Sequence, residues 1–195
     1  NGGYFLGLTG DYWLREKDAD GNEIANGRYQ IDPTTGLYKA SKVTTNIVGN
    51  REPVMIGGLN NSFRYKNLNL SFLLDLRLGG DIYNGTDYAS TVRGTSMRTI
   101  DRQSVTVEGV SSVTGEPLSY TYEAGKMYTV GGAQKSGNYM IQQYWSNYGE
   151  NAYNFITKTN WIRLRSVSLS YDFTSLFKNN NIVKGLSATF SANNL

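Results

Sequence analysis

The chain contains neither Cys nor His among its 195 residues, and the two absences exclude several kinds of site. Without Cys there is no disulfide, no thiol nucleophile and no thiolate metal ligand. Without His the chain lacks the commonest general base and the commonest ligand of transition metals. A Ser-His-Asp or Cys-His catalytic site is therefore impossible within this sequence.

The chain also lacks a strong charge imbalance and a long apolar run. Its net charge is only +3 and no two Lys or Arg residues are adjacent, so the sequence does not indicate a nucleic-acid partner. No apolar run reaches the length of about 18 residues that a membrane helix needs. A transmembrane β-strand needs no such run, because it presents only every second residue to lipid. The mean hydropathy of −0.44 is compatible with such strands or with a soluble protein.

What the chain does contain is abundant Gly and Tyr with little Pro, a composition typical of β-structure with many turns. In the clearest alternation, between residues 68 and 77, every second side chain is apolar. The even positions are Leu68, Leu70, Phe72, Leu74 and Leu76, and the odd positions, which are mostly polar, are Asn69, Ser71, Leu73, Asp75 and Arg77. Just before it, Leu59, Phe63 and Tyr65 alternate in the same way. A tight hairpin is therefore predicted, with its turn at Lys66 and Asn67 and with one apolar face.

Residues 161–173 predict a second long strand, in which apolar side chains alternate with Ser and Asp from Val167 onward. Arg163 and Arg165 fall on the apolar parity. Either these two residues lie above the lipid zone, or a bulge near Arg165 shifts the phase of the alternation. A short polar link at residues 178–181 then leads to a partner strand, whose apolar parity holds Leu186, Ala188, Phe190 and Ala192.

The connections between these strands alternate between short and long. Long loops without structure are unusual in compact soluble domains, whereas outer-membrane β-barrels combine short periplasmic turns with long extracellular loops. We therefore predict an extracellular region at 1–53, a barrel hairpin at 54–84, a long extracellular loop at 85–159 and a second barrel hairpin at 160–195. A soluble antiparallel sheet with one dry face alternates in the same way, so patterning alone leaves that alternative open.

Several short motifs, each weak alone, occur in an order and spacing that resemble SusC/RagA-type TonB-dependent transporters. The main ones are 49–53 (GNREP), 57–67 (GGLNNSFRYKN), 79–85 (GGDIYNG), 93–96 (RGTS), 161–173 (WIRLRSVSLSYDF) and 191–195 (SANNL). The resemblance implies an all-β fold, as a segment of a transmembrane antiparallel β-barrel that has 22 strands in the family. We find no plug domain, no TonB box and no signal peptide, and therefore expect a fragment whose remaining barrel strands belong to the same polypeptide.

The resemblance also implies a function and partners. Such transporters import glycan fragments or peptides across the cell outer membrane, with energy from TonB acting through the plug and with a SusD-like surface lipoprotein as partner. Outer-membrane lipid would surround the strands. On this interpretation the protein is not an enzyme, and we expect no catalytic residue, cofactor or metal.

Two groups of residues are candidate contact sites. The first group alternates with the apolar side chains and would therefore face the barrel interior: Arg64, Lys66, Asn69, Asp75 and Arg77. These residues either line a solute path, contact the plug or are simply hydrated. The second group belongs to the long loop and either contacts the lipoprotein, stacks on sugar rings or packs within the loop. Its members are Tyr144, Trp145 and Tyr148, with Tyr139 and Tyr153 nearby.

Two other function classes stay open. In a soluble all-β carbohydrate-binding module, a second sheet would cover the row of Leu and Phe side chains. An enzyme with paired carboxylates would need them about 5–9 Å apart, a distance that sequence does not show. Residues 18–23 (DADGNE) carry oxygen ligands on a turn, but they lack the spacing of a calcium loop, so no metal is predicted.

Overall fold

A computed structural model describes residues 7–43, 46–177, 182 and 185–195. The structure is mostly β, with 49% strand and 18% helix, which confirms the predicted all-β character in its general form. The described strands are β1 (Gly7–Thr9), β2 (Gln30–Asp32), β3 (Leu37–Tyr38), β4 (Ile47–Asn50), β5 (Met55–Tyr65), β6 (Leu68–Leu78), β7 (Asp81–Tyr83), β8 (Ser104–Ser111), β9 (Pro117–Glu123), β10 (Met127–Val130), β11 (Ala133–Ser136), β12 (Ile156–Lys158), β13 (Trp161–Asp172) and β14 (Ser187–Asn193). The described helices are α1 (Gly85–Val92), α2 (Gly137–Gly149) and three 3-10 helices at Met97–Thr99, Ala152–Phe155 and Thr174–Phe177.

The chain divides into two compact units. The first comprises residues 1–51 and 81–157, and the second comprises residues 52–80 and 158–195. The segment 85–159, predicted as one long loop, instead contains α1, α2 and five strands. Four of the five strands form two local hairpins, β8 with β9 and β10 with β11, which the prediction missed although they lie within the segment itself.

The first unit is built around a mixed four-stranded sheet of order β3-β2-β8-β9, in which β2 and β8 are parallel and the other pairs are antiparallel. In β8, Val105 and Val107 are buried while their neighbours face solvent, as a half-buried strand requires. Gly109 allows β2 to come close, because a Cβ at this position would lie 2.1 Å from the carbonyl oxygen of Tyr29. That carbonyl accepts a hydrogen bond from the Val110 amide at 2.9 Å.

Helix α2 contacts this sheet through one face. The Ser136 hydroxyl caps its N-terminus by accepting a hydrogen bond from the Tyr139 amide at 3.2 Å. Met140, Ile141 and Asn147 are buried. Asn147 follows Met140 by seven residues, about two helical turns, so these residues lie on the same inner face of the helix. Their partners in the core come from the sheet and from the strand β10: Ile31, Leu37, Val105, Val107, Tyr122 and Val130.

The second unit is one antiparallel four-stranded sheet of order β14-β13-β6-β5, here called the hairpin sheet. Strands β5 and β6 pair along their whole length, beginning with Tyr65 and Leu68 beside the turn, which confirms the predicted hairpin. Its turn contains Lys66 with a φ of +50°. Strands β13 and β14 also pair as predicted, whereas the link at residues 178–181 lies outside the described residues.

The register gives the hairpin sheet two chemically different faces, because directly paired side chains lie on the same side. The apolar face carries Leu59, Phe63, Tyr65, Leu68, Leu70, Phe72, Leu74, Leu76, Ile162, Leu164, Val167, Leu169, Tyr171, Ala188, Phe190 and Ala192, with Asn61 as a polar exception. The polar face carries Asn60, Ser62, Arg64, Asn69, Ser71, Asp75, Arg77, Arg163, Ser166, Ser168, Ser170, Thr189, Ser191 and Asn193, with Ile56, Leu73 and Trp161 as apolar exceptions.

Candidate functional site

The apolar face of the hairpin sheet is not covered. One row crosses all four strands through Phe63, Leu70, Leu169 and Phe190, and the outermost rings are 56% and 72% exposed. No described residue of the second unit is buried, whereas the first unit contains the entire hydrophobic core that the described residues form. Water would therefore contact a wide apolar surface unless another apolar material covers it.

A bulge keeps the charged residues of β13 off the apolar face. The pairing of β13 with β6 shifts between Leu164 and Ser166, which agrees with the second of the two alternatives offered for Arg163 and Arg165. Because of this shift, Arg163 pairs with Asp75 on the polar face. The Arg165 guanidinium also reaches that face, since its Nη1 donates to Asp75 Oδ2 at 3.1 Å.

Four of the five residues predicted to have lumen parity lie on the polar face. Arg64 and Asn69 form a cross-strand pair near the turn, while Asp75 and Arg77 lie near the far end of β6. At about 3.4 Å per residue, Asn69 and Asp75 are some 20 Å apart along the strand, so these residues form an extended row and not a single site.

Lys66 departs from the prediction. It belongs to the turn between β5 and β6 and not to either strand, so strand parity does not apply to it. Its ammonium group lies 5.4 Å from the centroid of the Tyr65 ring, which belongs to the apolar face. A cation that lies over the face of an aromatic ring is attracted by the negative charge of that face.

Hydroxyl and amide groups connect neighbouring strands across the polar face. The Ser62 hydroxyl donates to Asn69 Oδ1 at 3.1 Å, and the Ser170 and Thr189 hydroxyls are hydrogen-bonded at 2.8 Å. Such short polar side chains leave room for water along the sheet. The polar face is therefore suited to a hydrated environment.

The predicted loop contacts Tyr144, Trp145 and Tyr148 lie on α2, where they pack against one another and against the first unit's interior. The Tyr144 and Trp145 ring centroids are 5.1 Å apart, and those of Trp145 and Tyr148 are 5.5 Å apart. Burial raises the pKa of Tyr144 to about 12, with smaller contributions from Tyr38 and Tyr148. Of the three uses weighed for these residues, internal packing is the one that the contacts support.

Tyr148 is held by a charged network as well as by rings. Its hydroxyl accepts a hydrogen bond from Arg98 Nη1 at 3.2 Å, while Arg98 Nη2 forms an ion pair with Asp87 at 2.6 Å. Tyr139 and Tyr153, by contrast, are 47% and 53% exposed. Among the described aromatic side chains of the first unit, these two are the most exposed and are therefore the candidates for contact with a partner.

A pocket of about 490 Å³ in the first unit was not predicted. Its lining comprises Val92, Arg93, Gly94, Thr99, Arg102, Ala124, Asn138, Ile141, Gln142 and Trp145. We refer to it as the arginine pocket. In the sequence, Arg93 was noted only as part of the motif at 93–96, and Arg102 was not singled out. No spacing signal could have found this pair, because their approach depends on how the chain turns after α1.

The acidic turn at residues 18–23 satisfies its own backbone. Asp18 Oδ1 accepts hydrogen bonds from the amides of Asp20 and Asn22 at 3.0 and 2.9 Å, the pattern of an Asx turn. Within the described part of the chain, no group of three or more acidic side chains is placed to hold a metal ion.

Comparison with known protein families and with curated proteins gave no match to this chain. None of the helices in the described ranges is long and apolar enough to cross a membrane.

Proposed function

We propose that the hairpin sheet is part of the wall of an outer-membrane β-barrel, and that the protein imports glycan fragments or peptides together with TonB and a SusD-like surface lipoprotein. The observation that carries the proposal is the two-sided sheet, whose apolar face is uncovered and whose opposite face is polar along four strands. Barrel strands in the outer membrane alternate in this way between lipid and a wet interior.

The size of the apolar face supports the proposal. The row from Leu68 to Leu76 spans nine residues, and its eight steps cover about 27 Å at about 3.4 Å per residue. A strand tilted by about 40° would place that row across about 20 Å of the membrane normal, close to the roughly 25 Å apolar band of such barrels. The lengths of β5, β6 and β13, at 11, 11 and 12 residues, also match the roughly 9–11 that a tilted strand needs to cross.

The outer strands of the hairpin sheet require further pairing in this setting. Among the described residues, β5 pairs only with β6 and β14 pairs only with β13. Hydrocarbon offers no partner to an open strand edge, so only a closed barrel satisfies every backbone group. On this proposal, additional strands of the same polypeptide pair with both edges.

The first unit would then be extracellular, and its exposed aromatic side chains are the candidates for contact with the lipoprotein. Tyr139 and Tyr153 have this role in the proposal, in place of Tyr144, Trp145 and Tyr148. Tyr and Trp side chains contribute much to such interfaces because they combine a large apolar area with a polar group.

The direct test is nutrient uptake by cells that have or lack the protein. Cells without it should lose uptake of fluorescent oligosaccharides or of oligopeptides, and the wild-type chain should restore it. Normal uptake of both, with the protein recovered in the soluble fraction and bound to polysaccharide, would replace this proposal by the alternative of a soluble all-β carbohydrate-binding module.

A further inference from the structure

We propose that the arginine pocket binds a small organic carboxylate. All ten lining residues belong to the first unit, so the inference does not depend on the barrel proposal. The volume of about 490 Å³ lies within the roughly 300–1,000 Å³ of small-molecule sites. The lining contains two Arg and two side-chain amides but neither Asp nor Glu, so its charge is uncompensated by its own residues.

The Arg102 guanidinium is held in place by backbone carbonyls. Its Nη2 donates to the Gly94 carbonyl at 2.7 Å and its Nε donates to the Thr99 carbonyl at 3.4 Å. Gly94 has a φ of +73°, and a Cβ there would lie 3.3 Å from Arg102 Nη2. Glycine at this position therefore both adopts the turn and leaves space for the guanidinium.

Arg93 differs from Arg102 because its guanidinium is free to move. It is the C-terminal cap of α1, is exposed, and has no side-chain hydrogen bond or ion pair to any residue in the described ranges. A planar guanidinium binds a carboxylate through two parallel hydrogen bonds. Because both Arg93 and Arg102 line the pocket, an anion bound there would lie between two positive charges.

The rest of the lining indicates an organic ligand with a single charge. Trp145 contributes part of the lining, so its indole signals report on a ligand in the pocket. Val92, Ala124 and Ile141 add apolar surface that an uncharged ligand body would contact, whereas inorganic phosphate would not.

Calorimetric titration of the whole chain in detergent micelles tests the proposal, with glucuronate and N-acetyl-dialanine as the sugar-acid and peptide sources of a carboxylate. Methyl glucoside and N-acetyl-dialanine amide are their neutral counterparts. At least one acid should bind while its neutral counterpart does not, and it should shift the Trp145 indole N–H signal in NMR spectra. Heat from neither acid, equal binding of acid and neutral compound, or tighter binding of inorganic phosphate would each overturn the proposal.

Charge removal at Arg93 identifies the site. Arg93→Gln should weaken binding of the acid at least about tenfold, because a hydrogen bond to a charged group is lost. Lys17→Gln, which removes an equal charge at an exposed position outside the pocket, should leave binding unchanged. Near-ultraviolet circular dichroism would verify that both variants fold. Equal affinity of folded Arg93→Gln and wild type would refute the assignment.

Discussion

A positive charge placed on the apolar face should destabilise the protein in lipid, whereas the same charge on the polar face should not. Phe72 lies at the centre of the apolar row of β6, and Ser71, its neighbour in the chain, lies on the polar face between Ser62 and Ser168. Phe72→Arg and Ser71→Arg therefore introduce the same side chain at nearly the same depth on opposite faces.

The expected magnitude has two parts. Arg facing lipid near the bilayer centre costs about 2–4 kcal/mol. Loss of the Phe72 ring, whose centroid lies 6.1 Å from that of Phe63, removes an aromatic contact worth about 0.5–1.5 kcal/mol. Phe72→Ala removes the ring without adding charge, so the difference between the Arg and Ala variants isolates the cost of the charge.

The assay is urea unfolding of the protein from phosphatidylcholine vesicles, followed by tryptophan fluorescence. We expect the free energy of unfolding of Phe72→Arg to fall below that of Phe72→Ala by about 2–4 kcal/mol, and that of Ser71→Arg to stay within about 0.5 kcal/mol of wild type. Equal effects of the two Arg variants would refute the reasoning, because a sheet with water on both faces tolerates Arg on either.

Three further predictions concern the first unit. Tyr122→Phe should lower the free energy of unfolding by about 1–3 kcal/mol, because the buried Gly36 carbonyl loses the hydroxyl that donates to it at 3.0 Å; an unchanged urea midpoint would contradict this. Gly109→Ala should cost about 1–3 kcal/mol, since its Cβ would push against the Tyr29 carbonyl. Gly85→Ala serves as the control, because its Cβ would meet nothing within 4 Å and its φ is not positive; equal urea midpoints of the two variants would contradict the steric argument. Because burial raises the pKa of Tyr144 from 10.0 to about 12, its contribution to stability should be complete below pH 10 and lost as the pH rises through 12. The urea midpoint of Tyr144→Phe should therefore decrease less over that range than the midpoint of the wild type. Equal decreases of the two midpoints would contradict the raised pKa.

The hairpin sheet could be predicted because its alternation is long and local. Every even position from Leu68 to Leu76 is apolar, and the turn at Lys66 and Asn67 joins two strands whose apolar positions pair with each other. The sequence also offers the bulge near Arg165 as one of two explanations for two Arg residues at apolar positions of β13, and the pairing with β6 agrees with that explanation.

The first unit contains two local hairpins, β8 with β9 and β10 with β11, but distant residues determine how its other elements are arranged. Trp13 Nε1 donates to the carbonyl oxygen of Asn147 at 3.0 Å, across 134 positions of sequence. The parallel pairing of β2 with β8 involves only two residue pairs and leaves no periodic signal. Helix α2 is rich in Tyr and Trp, which have higher strand than helix propensity, and it depends on the Ser136 cap and on its contacts with the sheet.

The candidate sites show the same division. The polar parity of Arg64, Asn69, Asp75 and Arg77 follows from strand periodicity and could be predicted. The position of Lys66 in the turn was predicted as well, and it is inconsistent with the lumen parity that was also assigned to this residue. Sequence also gives no sign that Tyr148 turns inward to accept a hydrogen bond from Arg98, 50 positions away.

The most direct measurement is a spin-label scan of residues 68–77 in membranes. The chain has no Cys, so each single Cys variant takes one label at a known position. Labels at 68, 70, 72, 74 and 76 should collide mainly with oxygen, which concentrates in lipid, and labels at 69, 71, 75 and 77 mainly with a water-soluble nickel chelate. Equal access of the nickel chelate to both sets of positions would contradict the account.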